Sequence, residues 1–356
     1  MAISTRQLRG YLLEEALAWL MRHSGYDLLV DASQDPDELL MHGSELRVRG
    51  RGTSHQVDVL GEFAFTPPFS LPVRLFLEAK HYTQKCGLNV VRNAHGVLAD
   101  VNQNYVSHAG GRPRRRFQYC YALFSASGFS PDAEAFAIAH QISLVDLATP
   151  SFRWLLDAVA ACADQLYQAA VARSLATFPV KDARRRLRHL LDTSPVAMPT
   201  AMAPRSERTY AQALTDFAAL LQQHSEVELL IGFPPAPFIL PLVVNDRAAF
   251  VSYATRHPSH MISIRRRREG ATPEWTATAV DDHTAAYRLS FALPAGIEEW
   301  IAENEDRRRS RARMIKNDFL ATITIYFQAN GELRVCHLRY DPDALRQGIE
   351  DDRDHR

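Results

Sequence analysis

The spacing of apolar residues changes period repeatedly within the first 150 residues, and this is the strongest constraint on the fold. Residues 5–24 place leucines and alanines at helical spacing up to Gly25, which predicts an amphipathic helix. The helical period returns at 90–101 and after Ser130, a capping serine followed by a proline. The predicted strands cover 26–30, 45–49, 56–61, 73–79, 117–124 and 142–147. This order predicts an α/β domain with a mixed sheet.

Two details refine that prediction. The three-proline interval 62–72 is a plausible connection between antiparallel neighbours. The run 117–124 is almost continuously apolar and aromatic, which predicts a strand buried on both faces.

The rest of the chain divides into a connector and a second domain. Residues 152–174 have the pattern of one long helix, and 193–208 contain three prolines, which is typical of an extended joint. A helix at 210–223 and seven strand-like runs follow, and Asn330-Gly331 between the last two predicts a hairpin. We predict domains at 1–150 and 206–356, the second an α+β domain of regulatory or target-recognition role, joined by a helical connector and linker at 151–205.

Composition excludes several classes of protein. Apolar residues make up 46% of the 356-residue chain and charged residues 23%, as in folded globular proteins. No apolar run approaches the ~20 residues that span a bilayer, and the N-terminus lacks the order of a signal peptide, so we expect a cytoplasmic protein without a membrane partner. The four cysteines form no CxxC pair, which argues against a zinc knuckle or a disulfide framework.

Charge is balanced overall, with 41 basic and 41 acidic residues, so any attraction to nucleic acid must come from local patches. One patch is a loop with Arg112, Arg114, Arg115 and Arg116, which either binds backbone phosphates or is simply solvated. The basic run 307–316 follows several glutamates, an order that favours a solvated helix.

Charged residues interrupt two of the predicted strands. Asp58 lies within 56–61, where alternation places it on one face with Gln56. Glu78 and Lys80 lie two residues apart at the end of 73–80, so both project from the same side. Desolvating a carboxylate is costly unless it is paired or binds an ion. A divalent metal held by two carboxylates and a main-chain carbonyl is one solution, and a structural ion pair between Asp58 and Lys80 is the other.

The spacing of these residues resembles a known signature. Asp58, nineteen intervening residues and then Glu78-Ala79-Lys80 is similar to the PD-(D/E)XK signature of restriction-endonuclease-like folds. Over about residues 5–150, the opening helix with Gly25-Tyr26, and the strand at 117–125 followed by an alanine-rich helix, resemble the Mrr-like restriction endonucleases. The residues beyond 150 show no such resemblance.

The resemblance implies a restriction-endonuclease-like mixed sheet flanked by helices, and a set of site residues. Periodicity does not decide between Glu14 and Glu15, and the spacing to Gly25 in the family favours Glu14. Asp58 and Glu78 would be the direct ligands of Mg²⁺ or Mn²⁺, Lys80 the catalytic lysine, Glu14 a further metal ligand, Gln56 an accessory group at the rim, and the Ala79 backbone carbonyl another ligand.

The function implied is hydrolysis of DNA phosphodiester bonds by a metal-dependent endonuclease in a restriction or anti-phage setting. A homodimer would suit double-strand cutting, and a defence-system partner or small-molecule trigger would act through the second domain. The alternative is a catalytically silent nucleic-acid-binding or regulatory subunit that retains the nuclease fold.

Overall fold

The structure is a computed structural model of the 356-residue chain. It describes residues 3–43, 45–66, 69–104, 115–149, 152–172, 175, 177–194, 207–224, 229–236, 238, 240–267, 273–280, 287–330 and 332–343. The chain forms two compact units, Met1–His224 and Ser225–Arg356. Within the described ranges, no helix combines the length and the apolar character that crossing a bilayer requires.

The first unit is a mixed α/β structure whose elements run in the predicted order. Its helices are α1 (Thr5–His23), α2 (Leu88–Asn102), α3 (Pro131–Ala139), α4 (Arg153–Ala172), α5 (Val180–Leu190) and α6 (Glu207–Gln223). Its strands are β1 (Tyr26–Leu29), β2 (Leu39–His42), β3 (Glu45–Arg49), β4 (Ser54–Gln56), β5 (Val59–Phe63), β6 (Val73–Lys80), β7 (Gln118–Ser125) and β8 (Ile142–Asp146). The predicted helical caps are confirmed at α3, where Ser130 accepts a hydrogen bond from the Ala133 N–H.

A five-stranded sheet in the order β1-β5-β6-β7-β8 is the centre of this unit. β5 pairs antiparallel with β1 and β6, whereas β6, β7 and β8 are parallel neighbours, so the predicted mixed sheet is confirmed. α1 packs against β1, β5 and β6, and α2 and α3 pack together beside β7 and β8. A separate three-stranded sheet contains β2, β3 and β4.

One predicted strand is wrong in a way that matters for the site. The run 56–61 is not one strand: β4 ends at Gln56 in the small sheet, and β5 begins at Val59 in the large one. Val57 and Val59 are both buried, as is Leu60, because the chain passes between two sheets and packs on both sides. Asp58 therefore lies at the joint between two strands, so its side does not follow from the alternation of a single strand.

The boundary between the units also differs from the predicted domain boundary near residue 206. α6 packs against α4 and α5, so the first unit continues through His224. The predicted linker at 193–208 lies largely outside the described residues. The segment predicted as a connector therefore supplies a helical layer to the first unit.

The second unit contains a closed seven-stranded barrel in the order β10-β13-β12-β11-β15-β14-β9. Its strands are β9 (Leu229–Phe233), β10 (Leu240–Val244), β11 (Ser259–Arg267), β12 (Glu274–Ala279), β13 (Arg288–Phe291), β14 (Thr322–Ala329) and β15 (Glu332–Arg339). Its helices are α7 (Arg247–Arg256), α8 (Ala295–Ala302) and α9 (Arg308–Asp318). β14 and β15 form the predicted hairpin, with Asn330 at a positive φ of 54°.

Candidate functional site

Asp58, at the joint between β4 and β5, and Glu78 and Lys80 of β6 line one cavity of the first unit. The cavity has a volume of about 340 Å³. Its polar lining includes Arg47, Gln56, Asp58, Glu78, Lys80 and Tyr121. Residues of α2, among them Asn93, close another side. Asp58 and Glu78, which lie 20 residues apart in the sequence, thus face one cavity, whose volume is at the lower end of the range of ligand-binding pockets.

Asp58 is held at the joint between β4 and β5 by the neighbouring strand. Its Oδ2 accepts a hydrogen bond of 3.0 Å from the Ala79 N–H. Val59 pairs with Leu77 in the antiparallel register, so Asp58 lies one step beyond that pair, opposite Glu78. Burial raises the pKa of Asp58. The hydrogen bond from the Ala79 N–H lowers this pKa, and the negative charge of Glu78 raises it. Among the described residues, its Oδ1 accepts no hydrogen bond.

Each carboxylate oxygen of Glu78 has a partner. The Lys80 Nζ forms an ion pair with Oε1, and the Tyr121 hydroxyl donates a 2.7 Å hydrogen bond to Oε2. The predicted same-side projection of Glu78 and Lys80 is therefore present. Burial works against the charge of Lys80, but the carboxylate of Glu78 offsets burial and raises the pKa of the lysine.

The ion pair that forms is Lys80–Glu78, so the Asp58–Lys80 pair considered from the sequence is not the contact made. Lys80 still acts on Asp58 through its charge. This arrangement leaves two carboxylates beside one ammonium group and does not satisfy Asp58.

Tyr121 is a site residue that the sequence analysis missed. Phe76 pairs with Tyr121 in the parallel β6–β7 register, and the two rings stack with centroids 5.1 Å apart. This stacking fixes the ring so that its hydroxyl reaches Glu78, two residues along β6. In the sequence, only the hydroxyl group distinguishes Tyr121 from its apolar neighbours. Its partner, Glu78, can be identified only when the register of β6 and β7 is known.

Glu14, predicted as a further metal ligand, lies on α1 and pairs with an arginine of α5. The Arg184 Nη2 on α5 forms a 2.8 Å ion pair with Glu14 Oε2. Glu14 is not among the residues lining the cavity, although its charge acts on Asp58. Burial raises the pKa of Glu14 to about 7, with contributions from Asp58 and Glu15, while Arg184 lowers it.

Glu15, the neighbour of Glu14, is fully engaged by two arginines of α5. Arg184 Nε lies 2.6 Å and Arg188 Nε 2.8 Å from its carboxylate oxygens. The side chain of Glu15 is only 2% exposed. The structure thus joins α1 and α5 by a partly buried network of charges, which sequence reasoning missed because the partners lie about 170 positions apart.

The rim of the cavity is held by a second hydrogen-bonded group. His55 Nε2 lies 2.7 Å from Asp100 Oδ2, and Asp100 also accepts hydrogen bonds from the Gly52 and Thr53 N–H groups. Asp100 belongs to α2, so these bonds attach the turn before β4 to that helix. Gln56, at the end of β4, is exposed at the same rim.

The arginines predicted to bind phosphate are only partly described. Arg112 and Arg114 lie outside the described residues. Arg115 pairs with Glu62 at 3.2 Å and lies over the Phe117 ring, and neither Arg115 nor Arg116 lines the cavity. The described part of this predicted surface is therefore separate from the cavity.

The donor chemistry of the cavity fits a hard divalent cation. In the described parts of the chain, no group of three or more histidine, cysteine, aspartate or glutamate side chains has metal-binding geometry. Asp58 and Glu78 supply carboxylate oxygens, and Mg²⁺ in proteins is commonly held by one or two carboxylates with waters completing its shell. The residues present would suit that kind of site, with Ala79 as the predicted carbonyl ligand.

Comparison with known proteins adds little. No protein-family model matches the chain, and no curated protein matches it. A crystal structure described as a protein of unknown function is similar at 13% identity and a TM-score of 0.30, covering 60% of this chain and 98% of that one. A likeness this weak bears on neither fold nor function.

Proposed function

We propose that the first unit is a metal-dependent nuclease of the PD-(D/E)XK class that hydrolyses DNA phosphodiester bonds. The observation that carries the proposal is the meeting of Asp58, Glu78 and Lys80 at one cavity, with the Asp58 carboxylate partly buried and hydrogen-bonded through one of its two oxygens. Their resemblance in type and spacing to the PD-(D/E)XK signature supports the choice of chemistry, and the five-stranded mixed sheet flanked by helices is compatible with it.

Asp58 and Glu78 would hold the cation, which when bound supplies Lewis acidity toward the phosphate and a more acidic water. Lys80 lies beside Glu78 and would place a positive charge and a hydrogen-bond donor where negative charge grows on the phosphate. Its raised pKa keeps the amine protonated at neutral pH, so we assign it electrostatic stabilisation and water orientation rather than proton abstraction. Arg47 and Gln56 line the cavity and would contact the phosphate backbone.

Plasmid incubation with Mg²⁺ or Mn²⁺, compared with EDTA, tests the activity directly. We expect cation-dependent strand scission by the full chain and a loss of at least about a hundredfold in Lys80→Met, because a donor at the developing charge is removed. Lys181→Met, an exposed lysine on α5, is the matched control and should cut normally. Retarded DNA migration without scission under either metal would instead favour the catalytically silent binding subunit.

Tyr121→Phe should weaken metal binding without disturbing the fold. The variant keeps the ring stacked on Phe76 and removes only the hydroxyl that donates to Glu78. Loss of such a supporting hydrogen bond typically costs tenfold to a hundredfold in metal affinity. Calorimetric titration with Mn²⁺ measures this, with Tyr167→Phe on α4 as the control. Equal affinities in the two variants would remove Tyr121 from the site.

The resemblance is also the basis for proposing a restriction or anti-phage setting, with a homodimer cutting both strands. Regulation by a defence partner or a small-molecule trigger would act through the second unit.

A further inference from the structure

Arg184 brings a permanent positive charge to the carboxylates of the first unit from outside the region that resembles the nuclease family. It lies on α5 and forms ion pairs with Glu14 at 2.8 Å and Glu15 at 2.6 Å. Its charge also acts on Asp58. The guanidinium does not deprotonate in proteins, so Arg184 remains a cation beside these carboxylates at any physiological pH.

The contact with Glu14 competes directly with metal coordination. Glu14 Oε2 already accepts a charged hydrogen bond from Arg184, and Glu14 does not line the cavity that Asp58 and Glu78 share. A divalent cation bound to Glu14 would lie beside the Arg184 guanidinium, and the two positive charges would repel each other. Glu14 therefore faces Arg184 outside the cavity, whereas Asp58 and Glu78 both line it.

The balance of charge among these neighbouring groups points the same way. With all of them ionised, four carboxylates, those of Glu14, Glu15, Asp58 and Glu78, are set against three cationic side chains. The cationic side chains are Lys80, Arg184 and Arg188. One divalent ion more than neutralises the remaining negative charge, and a second would add uncompensated positive charge to a buried group.

We infer that Arg184 takes the place of a second metal ion, so that this site binds one divalent cation between Asp58 and Glu78. Glu14 is then a positioning residue that holds Arg184, not a metal ligand as the family resemblance implied. The inference rests on the proposed function, because it presupposes that the cavity binds a divalent cation. The inference also gives α5 a role in the site, because this helix carries Arg184, whose positive charge replaces that of a second metal ion.

Counting bound Mn²⁺ on the full chain tests the inference without an activity readout. We expect one equivalent in the wild type and two in Arg184→Gln, by calorimetric titration. Electron paramagnetic resonance should then show a spin-coupled Mn²⁺ pair only in that variant, since paired metals in such sites lie roughly 3.5–4 Å apart. Arg188→Gln is the matched control: it also loses a bond to Glu15 but leaves the Arg184–Glu14 pair, and should bind one equivalent.

Adding Glu14→Gln to Arg184→Gln should return the number of bound Mn²⁺ ions to one, because the second ion would use the freed Glu14 carboxylate.

If Arg184→Gln unfolds without metal, Mn²⁺ should restore its folding, since the ion supplies the missing positive charge. Unfolding that Mn²⁺ does not reverse overturns the inference. One equivalent in both wild type and Arg184→Gln also overturns it and leaves the nuclease proposal standing. Two coupled ions in the wild type refute it as well, whereas no bound ion in the wild type refutes the proposed metal site itself.

Discussion

Asp58→Asn is expected to abolish cation-dependent strand scission and, at the same time, to stabilise the metal-free protein. Removing a ligand of the cation should lower the rate on the order of a thousandfold. The amide oxygen of asparagine can still accept the hydrogen bond from the Ala79 N–H, so the joint between β4 and β5 keeps its support. Only the buried negative charge beside Glu78 disappears.

The stability gain has a predicted dependence on pH. In the folded protein the pKa of Asp58 lies above its ordinary value because of burial, so the folded state holds that proton more tightly than the unfolded chain. Ionising Asp58 therefore costs stability as pH rises, and the advantage of the asparagine variant grows over the same range. We expect the variant to be more stable than the wild type at neutral pH and to lose this advantage towards about pH 4, the ordinary pKa of an aspartate.

Urea unfolding in EDTA, with plasmid scission measured on the same samples, checks both effects. Asp164→Asn is the matched control, because Asp164 is 59% exposed and its pair with Arg9 contributes about 0–1 kcal/mol. Added Mg²⁺ should reverse the order of stability, since only the wild type binds the ion well. A destabilised Asp58→Asn variant would mean that the negative charge of Asp58 stabilises the fold, which contradicts the predicted cost of ionising it.

Arg74→Met is expected to produce the largest loss of stability in the first unit. Arg74 is 1% exposed and donates to Glu62 Oε2 at 2.9 Å and Asp35 Oδ2 at 2.6 Å. Its guanidinium also lies 3.3 Å from the centre of the Phe117 ring. Removing Arg74 takes the buried cation away from Asp35 and leaves Glu62 with the exposed Arg115, and breaking a buried charge pair costs about 3–5 kcal/mol.

Thermal unfolding measures this loss as a fall of about 6–20 °C in the transition of the first unit, given about 2–4 °C per kcal/mol in a unit of this size. Arg22→Met removes the exposed pair with Asp192 and should change stability by about 0–1 kcal/mol. Arg74 does not line the cavity, so the folded variant should still cut DNA at low temperature. A loss below about 1 kcal/mol would show that Asp35 and Glu62 are satisfied by water instead.

The local features of the fold could be predicted from the sequence because they depend on neighbours along the chain. The apolar period of 5–24 and the cap at Ser130 correspond to α1 and α3, and Asn330 lies at the predicted hairpin. The side shared by Glu78 and Lys80 follows from the two-residue repeat of a single strand. Each of these predictions needed only a few consecutive residues.

The long-range features depended on pairings that no local pattern specifies. The passage of the chain between two sheets placed Asp58 at a joint, and the parallel register of β6 and β7 brought Tyr121 to Glu78. Closure of the barrel in the second unit likewise depends on strands far apart in the chain. Arg184 reached Glu14 because α5 packs near α1. The sequence by itself thus determined which elements of the core carry charged residues. Only the tertiary packing decided which of those charges neutralise one another, because Coulomb and hydrogen-bond energies depend on distance in space.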